Sequence, residues 1–204
     1  MKKLKDENKE EQILDAAKSI FQAKGMDGAR MQEIADKAGI NKAMLHYYYR
    51  SKQLLFEAVF KNAFSLLAPQ LNTVLNDHSS IEEKIKKFTS NYISFIIKHP
   101  YLPNFIIQEL NRNQDFILKL KENKGFPSLD KFNEQVDEEI KKGIIKPTSG
   151  EQLFINILAL NIFPFVAKPL IMAFTNVDDK AFKQLMEQRK IEVAKFIINS
   201  IKNT

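Results

Sequence analysis

The chain has 204 residues, enough for one large domain or two small ones. Apolar residues make up 44% and charged residues 27%, ordinary globular usage that excludes disordered and fibrous classes. The absence of cysteine removes disulfides, thiolate metal ligands and a thiol nucleophile together. The formal charge of +6 favours an anionic partner only weakly. Local charge is more informative, because Lys37, Lys42, Arg50 and Lys52 follow one another with no acid between them.

The six glycines are not spaced to cradle a phosphate, so neither a P-loop nor a dinucleotide fingerprint is present. His46, His78 and His99 lie far apart, and neither His-Glu-x-x-His nor Glu-x-x-His occurs. The sequence therefore predicts no enzyme, no metal site and no cofactor. The first residues mix acids with lysines and lead into no apolar run, unlike a secretory signal. The longest uncharged run, Gln152–Ala167, has 16 residues, shorter than the ~20 of a membrane span. A cytoplasmic protein without a membrane partner is expected.

Helical periodicity runs through nearly the whole chain. Ile13, Leu14, Ala17, Ile20 and Phe21 form an amphipathic stripe that Gly25 can cap. Ile34, Ala35 and Ala38 mark a short second helix ended at Gly39. Asn41 can cap a third reaching about Tyr49, and Ser51 a fourth, from Lys52 to about Leu67 and bent or interrupted near Pro69. Further helices are predicted over Ile81–Lys98 behind Ser80, Asn104–Arg112, Asp115–Lys121 and Ser128–Lys142. Lys124–Pro127 reads as a loop. Gly150–Phe163 is strongly apolar and is disturbed by Pro164 and Pro169; a last helix runs from Asp178 or Asp179 to about Lys202. No alternating strand pattern appears, so the expected class is all-α.

Met31–Tyr49 has the pattern of two helices crossing steeply. Ala35 is small where the backbones must approach, Gly39 permits a positive φ at the turn, and Ile40 and Leu45 fill the space between. An ordinary corner in a helical bundle is the competing reading of Ala35 and Gly39 alone. The flanking residues decide between them. Ile13-Leu14-Asp15-Ala16-Ala17, Phe21, Gly25, Ile34-Ala35-x-x-Ala38-Gly39-Ile40, Lys42-x-x-Leu45-His46-Tyr47-Tyr48-Tyr49 and Ser51-Lys52-x-x-Leu55-Phe56 follow in order. This stretch resembles the DNA-binding domain of TetR-family transcriptional regulators. It departs from the family at Ala29 and Arg30, where Ser or Thr usually caps the second helix, and at Asn41, which caps comparably.

The resemblance implies a helix-turn-helix DNA-binding domain over residues 6–66 and a helical effector-binding and dimerisation domain over 67–204. In a helix-turn-helix the second helix enters the major groove and its leading residues meet base edges. Asn41, Lys42 and Ala43 hold that end; Lys42 can donate to guanine and Ala43 can pack on a thymine methyl. Leu45, Tyr48 and Tyr49 fall inward, while His46 and Tyr47 project outward toward phosphate or base. The Tyr48 ring packs and its hydroxyl reaches the DNA backbone. Arg30 can reach a phosphate, and Lys52 resembles the family's phosphate-binding lysine. The expected partners are double-stranded operator DNA and a second copy of the chain, paired through Gly150–Phe174 and Asp179–Lys202. On the last helix, Ile191, Ala194, Lys195, Ile198 and Ile201 form a stripe with an interrupting lysine.

Thirteen of the 16 phenylalanines lie beyond residue 60. Phe64, Phe88, Tyr92, Phe95, Phe105, Phe132 and Phe163 are candidates, with Glu109, to line a cavity for a small apolar or amphipathic effector; Phe116, Phe154 and Phe165 are further aromatic candidates. A filled core is the alternative for each ring. Glu109 either meets a cationic group or pairs with Arg112. The resemblance implies a repressor released from a palindromic operator by its effector. A helical carboxylate enzyme and a lipid-carrying bundle are the rival readings, and both leave Met31–Lys52 unexplained.

Overall fold

The computed structural model describes residues 2–112, 118, 121 and 127–203. Among them there are ten helices and no named strand. The chain divides into two compact units, Met1–Ser65 and Leu66–Thr204.

The first unit is built from α1 (Lys2–Gly28), α2 (Met31–Lys37), α3 (Lys42–Tyr48) and the start of α4 (Lys52–Asn76). The α1 stripe buries Ile13, Ala16, Ala17 and Phe21. The Phe21 ring meets Phe56 of α4 edge to face, with centroids 4.9 Å apart. Gly25 has φ 67° and breaks α1, which resumes for one short turn to Gly28. Helix α4 runs continuously through Pro69 to Asn76, so the predicted interruption there does not occur and the helix is nine residues longer than expected. Its C-terminal part belongs to the second unit.

The second unit contains α5 (Ile81–Lys98), α6 (Leu102–Arg112), α7 (Asp130–Lys141), α8 (Gly150–Val166), α9 (Lys168–Thr175) and α10 (Asp179–Ile201). The most extensive helix pairing is α5 with α10. Ser80 starts α5 with a capping box: its Oγ accepts from the Glu83 amide while Glu83 accepts from the Ser80 amide. Pro103 lies inside the first turn of α6, where a missing N–H costs nothing. Asp178 caps α10 by accepting from the Ala181 amide at 2.8 Å. The predicted helix Asp115–Lys121 and the loop Lys124–Pro127 lie largely outside the described residues, as does Phe116.

Two prolines were expected to disturb the apolar segment, and the structure shows how. Helix α8 continues through Pro164, which has no N–H to offer the Leu160 carbonyl four residues back. Arg189 of α10 replaces that missing donor, its guanidinium binding the Leu160 oxygen at 2.8 Å. Burial holds the Arg189 pKa below its ordinary value. After Val166 the chain turns by 75° into α9, and Asn176 ends that helix in the left-handed region at φ 51°. Among the described residues no single helix is long and apolar enough to cross a membrane.

The link between α4 and α5 is fastened by a polar cluster absent from the sequence expectations. The Lys84 side chain is 1% exposed and its ammonium binds the Asp77 carbonyl at 2.8 Å and the Asp77 carboxylate at 3.1 Å. Glu139 of α7, itself buried, accepts from the Ile81 amide at 2.9 Å, and Gln135 donates to the Ser79 carbonyl. Every charged group in this cluster has a partner, as burial requires.

Most of the aromatic candidates are buried or half-buried. Phe88, Tyr92 and Phe132 are fully buried and pack in the main apolar cluster; Phe105 is buried and Phe95 and Phe64 are half-buried. Phe88 stacks on Tyr92 at 4.8 Å. Phe163, at 56% exposed, instead lies on the outer side of α8. Glu109 is only 5% exposed and takes the local pairing, with Arg112 Nε 3.0 Å from its carboxylate. The α10 stripe is split between two surroundings. Ala194, Ile198 and Ile201 are buried in the subunit's own core, while Ile191, Lys195 and Phe196 face outward with Ile155 and Phe163 of α8.

Candidate nucleic-acid interface

The turn between α2 and α3 is set by main-chain hydrogen bonds that only a positive φ allows. The Ile40 amide reaches the Ala35 carbonyl at 3.0 Å and the Gly39 amide reaches Asp36 at 3.1 Å, a Schellman closure with Gly39 at φ 65°. Arg30, the residue before α2, has an extended backbone and its side chain makes no cap. The missing Ser or Thr thus leaves an uncapped start. An ion pair from Lys24 to Glu33 at 2.9 Å ties α1 to α2 and holds the Glu33 carboxyl below its usual range.

Asn41 caps α3 through its Oδ1, which accepts from the Met44 amide at 2.7 Å. Because α3 has only seven residues, this cap governs a large part of its stability. Asn41→Ala is expected to cost about 0.5–2 kcal/mol, visible as a lower chemical-denaturation midpoint with unchanged m.

Leu45 is fully buried between the helices and sets the rotation of α3. At 100° per residue, Ala43 and Tyr47 then lie opposite it. Asn41, Lys42, Ala43, Met44, His46 and Tyr47 are all exposed, Tyr47 at 84%. Tyr48 is half-buried, its ring edge to face with Tyr47 at 5.6 Å. Tyr49 is held from the other side: its hydroxyl donates to Glu10 at 2.9 Å, and burial together with that carboxylate pushes its pKa well above the ordinary tyrosine value. Glu10 and Met44 were not singled out from sequence. The Met44 position follows from Leu45 facing inward, but Glu10 is 39 residues from its partner and carries no local signal.

Lys52 at the first position of α4 has a structural task. Its ammonium donates to the carbonyls of Asp27 at 3.3 Å and Ala29 at 3.1 Å, closing the loop before α2. An ammonium carries three N–H donors, so one remains beyond those two bonds. Arg30 is exposed in the same loop. The structure thus groups Asn41, Lys42, Ala43, His46 and Tyr47 on one short helix and brings Arg30 and Lys52 together at the start of α2. Among the described residues no group of three or more His, Asp or Glu could hold a metal ion.

An all-helical chain whose first unit presents a capped, outward-facing second helix behind a glycine turn is a helix-turn-helix DNA-binding protein. Residues 13–59 match the model for bacterial regulatory proteins of the tetR family. These residues form a TetR-type DNA-binding domain. It is 23% identical over 197 residues to the HTH-type transcriptional regulator RutR of Escherichia coli, covering 95% of this chain and 91% of that protein. It is 25% identical over 112 residues to the "Probable HTH-type transcriptional regulator YttP" of Bacillus subtilis, where the match spans about half of each chain (54%). Among solved structures it resembles AibR in complex with isovaleryl coenzyme A and operator DNA, with a TM-score of 0.60 at 18% identity, covering 77% of this chain and 85% of that one.

Proposed function

We propose that this regulator is a cytoplasmic repressor that binds a palindromic operator as a homodimer and is released by a small apolar or amphipathic effector. The observation that carries the DNA-binding reading is the rotation of α3: fully buried Leu45 turns Ala43 and Tyr47 outward, and Lys42 is exposed at the leading end. In this reading Lys42 and Ala43 meet base edges, Asn41 and Tyr47 contact base or phosphate, and His46, Tyr48 and Arg30 approach the phosphates. Lys52 uses its remaining N–H on a phosphate while its other two hold the loop. Removing it weakens binding to every sequence alike and flattens the salt dependence.

A seven-residue reading helix spans only a few base pairs, so genomic specificity calls for two copies. The outward residues Ile155, Phe163, Ile191 and Phe196 supply apolar surface for pairing α8 and α10 with those of a second copy. Phe196 takes the place that Ala194 and Ile198 were expected to fill.

The effector reading rests on the aromatic interior of the second unit and on the AibR complex, in which a relative in fold holds both an acyl coenzyme A and operator DNA. An effector that prefers one conformation of the protein lowers operator affinity by the same coupling energy with which DNA opposes the effector. Helix α4 belongs to both units and is the covalent route for that coupling.

Selection of bound sites from random duplex DNA, followed by titration calorimetry on the selected site, tests the reading. The expected result is a two-fold symmetric site bound by two chains. Retention of no sequence above background, or an asymmetric site bound by one chain, overturns it.

A further inference from the structure

A cleft of about 180 Å³ opens where the end of α5, the α8–α9 elbow and the start of α10 meet. Its floor is apolar: Phe165, Phe182 and Met186 are buried, and the two rings meet edge to face at 6.2 Å. Its rim is charged. Lys168 lies 5.4 Å from the Phe182 ring centroid and pairs with Asp179 at 2.5 Å. Lys183 also lines the cleft and makes no ion pair among the described residues. Two ammoniums and one carboxylate leave the rim one positive charge in excess. An apolar floor under a singly cationic rim complements an amphiphile with one negative charge.

We propose that this cleft binds a small amphipathic carboxylate, its tail on Phe165, Phe182 and Met186 and its head between Lys168 and Lys183. A cavity near 150 Å³ accommodates a benzene-sized group, so the tail is roughly six to eight carbons. Phe165 is the one lining residue shared with the effector candidates named from sequence; Phe64, Phe88, Tyr92, Phe95, Phe105, Glu109, Phe132 and Phe163 are not part of this cleft. Asp179 is 80% exposed, so Lys168 can exchange it for a ligand carboxylate without stranding a buried charge. Binding therefore loosens the tie between the first residues of α9 and α10.

The test uses the full chain and three probes: sodium octanoate, 1-octanol and octylammonium chloride, each followed by titration calorimetry. Octanoate is expected to bind saturably, octanol more weakly, and octylammonium no better than octanol. The double variant Lys168→Gln, Lys183→Gln, altered only at the rim, should weaken octanoate about tenfold or more while leaving octanol unchanged. Asp179→Asn removes the competing carboxylate and should tighten octanoate by about threefold, a gain that a merely structural role would not produce. Met186→Phe narrows the floor and should weaken both octanoate and octanol; the rim variants decide the matter should that variant fold poorly. Absence of saturable octanoate binding overturns the proposal. So does octanoate affinity that is unchanged in the rim variants, because it would place the ligand elsewhere. Operator affinity is not a readout of this experiment, so its outcome stands apart from the repressor reading.

Discussion

Lys42→Ala is expected to weaken binding to the selected operator while leaving the thermal unfolding curve unchanged. The side chain is exposed at the first position of α3, and the Asn41 cap does not involve it. A base-reading lysine contributes about 1–3 kcal/mol of discrimination. A symmetric dimer uses it twice, so the expected loss is about 2–6 kcal/mol, between roughly thirtyfold and ten-thousandfold in affinity. Gel-shift titrations over a salt series separate the possible roles. A base contact, once lost, relaxes preference at one position of each half-site and leaves the non-specific salt slope nearly intact. A phosphate contact lowers that slope by about 0.9 per lost ion pair and spares the preference. Parent affinity and parent preference in the variant would remove Lys42 from the interface.

The second large effect is on folding. Asp77→Ala removes the carboxylate that meets the fully buried Lys84 ammonium at 3.1 Å, and losing one partner of a buried pair costs about 3–5 kcal/mol. Asp77 is itself partly exposed, which favours the lower end of that range. Lys84→Met should be far milder: the methionine fills the same space, and the Asp77 carboxylate can be hydrated once the lysine is gone. Urea denaturation of the two variants checks the contrast. Equal losses in both would mean that the pair acts through packing alone.

The pH dependence has a definite sign. Burial pushes the Asp77 carboxyl up, but the Ser79 hydroxyl and the Lys84 ammonium more than offset this and hold it below the usual range. A depressed native pKa contributes stability that is fully present above the unfolded value and disappears as pH falls through the native one. The gap between the parent chain and Asp77→Ala should therefore be full above about pH 4 and close in more acidic solution.

The helix-turn-helix was legible in sequence because its geometry is local. Ala35, Gly39, Asn41 and Leu45 lie within eleven residues, and each acts through its immediate neighbours. The small residue and the glycine permit the turn, the amide cap starts α3, and the one leucine orients it. The tether from Lys52 to the Asp27 and Ala29 carbonyls was not legible, because its two ends are 23 and 25 residues apart. Nor was the continuity of α4: proline propensity predicts a break at Pro69, yet the helix runs on, with Leu67 and Leu71 packed against the apolar core and Leu75 buried in it. The aromatic second unit was the least legible part. Periodicity marks a phenylalanine as inward-facing on its helix without saying whether the space it faces is empty, filled by a neighbour or, as at Phe163, outside the subunit.

For this protein the order of residues alone determined the helical class, the cap and turn positions and the orientation of the reading helix, since each depends on contacts within one or two turns of chain. Tertiary packing decided the rest: the partners of the buried charges, the donor that serves Leu160 in place of the amide Pro164 lacks, and the division of α10 between core and open surface. Those outcomes depend on which distant side chains share a volume, and a linear pattern of polar and apolar residues carries no such distances.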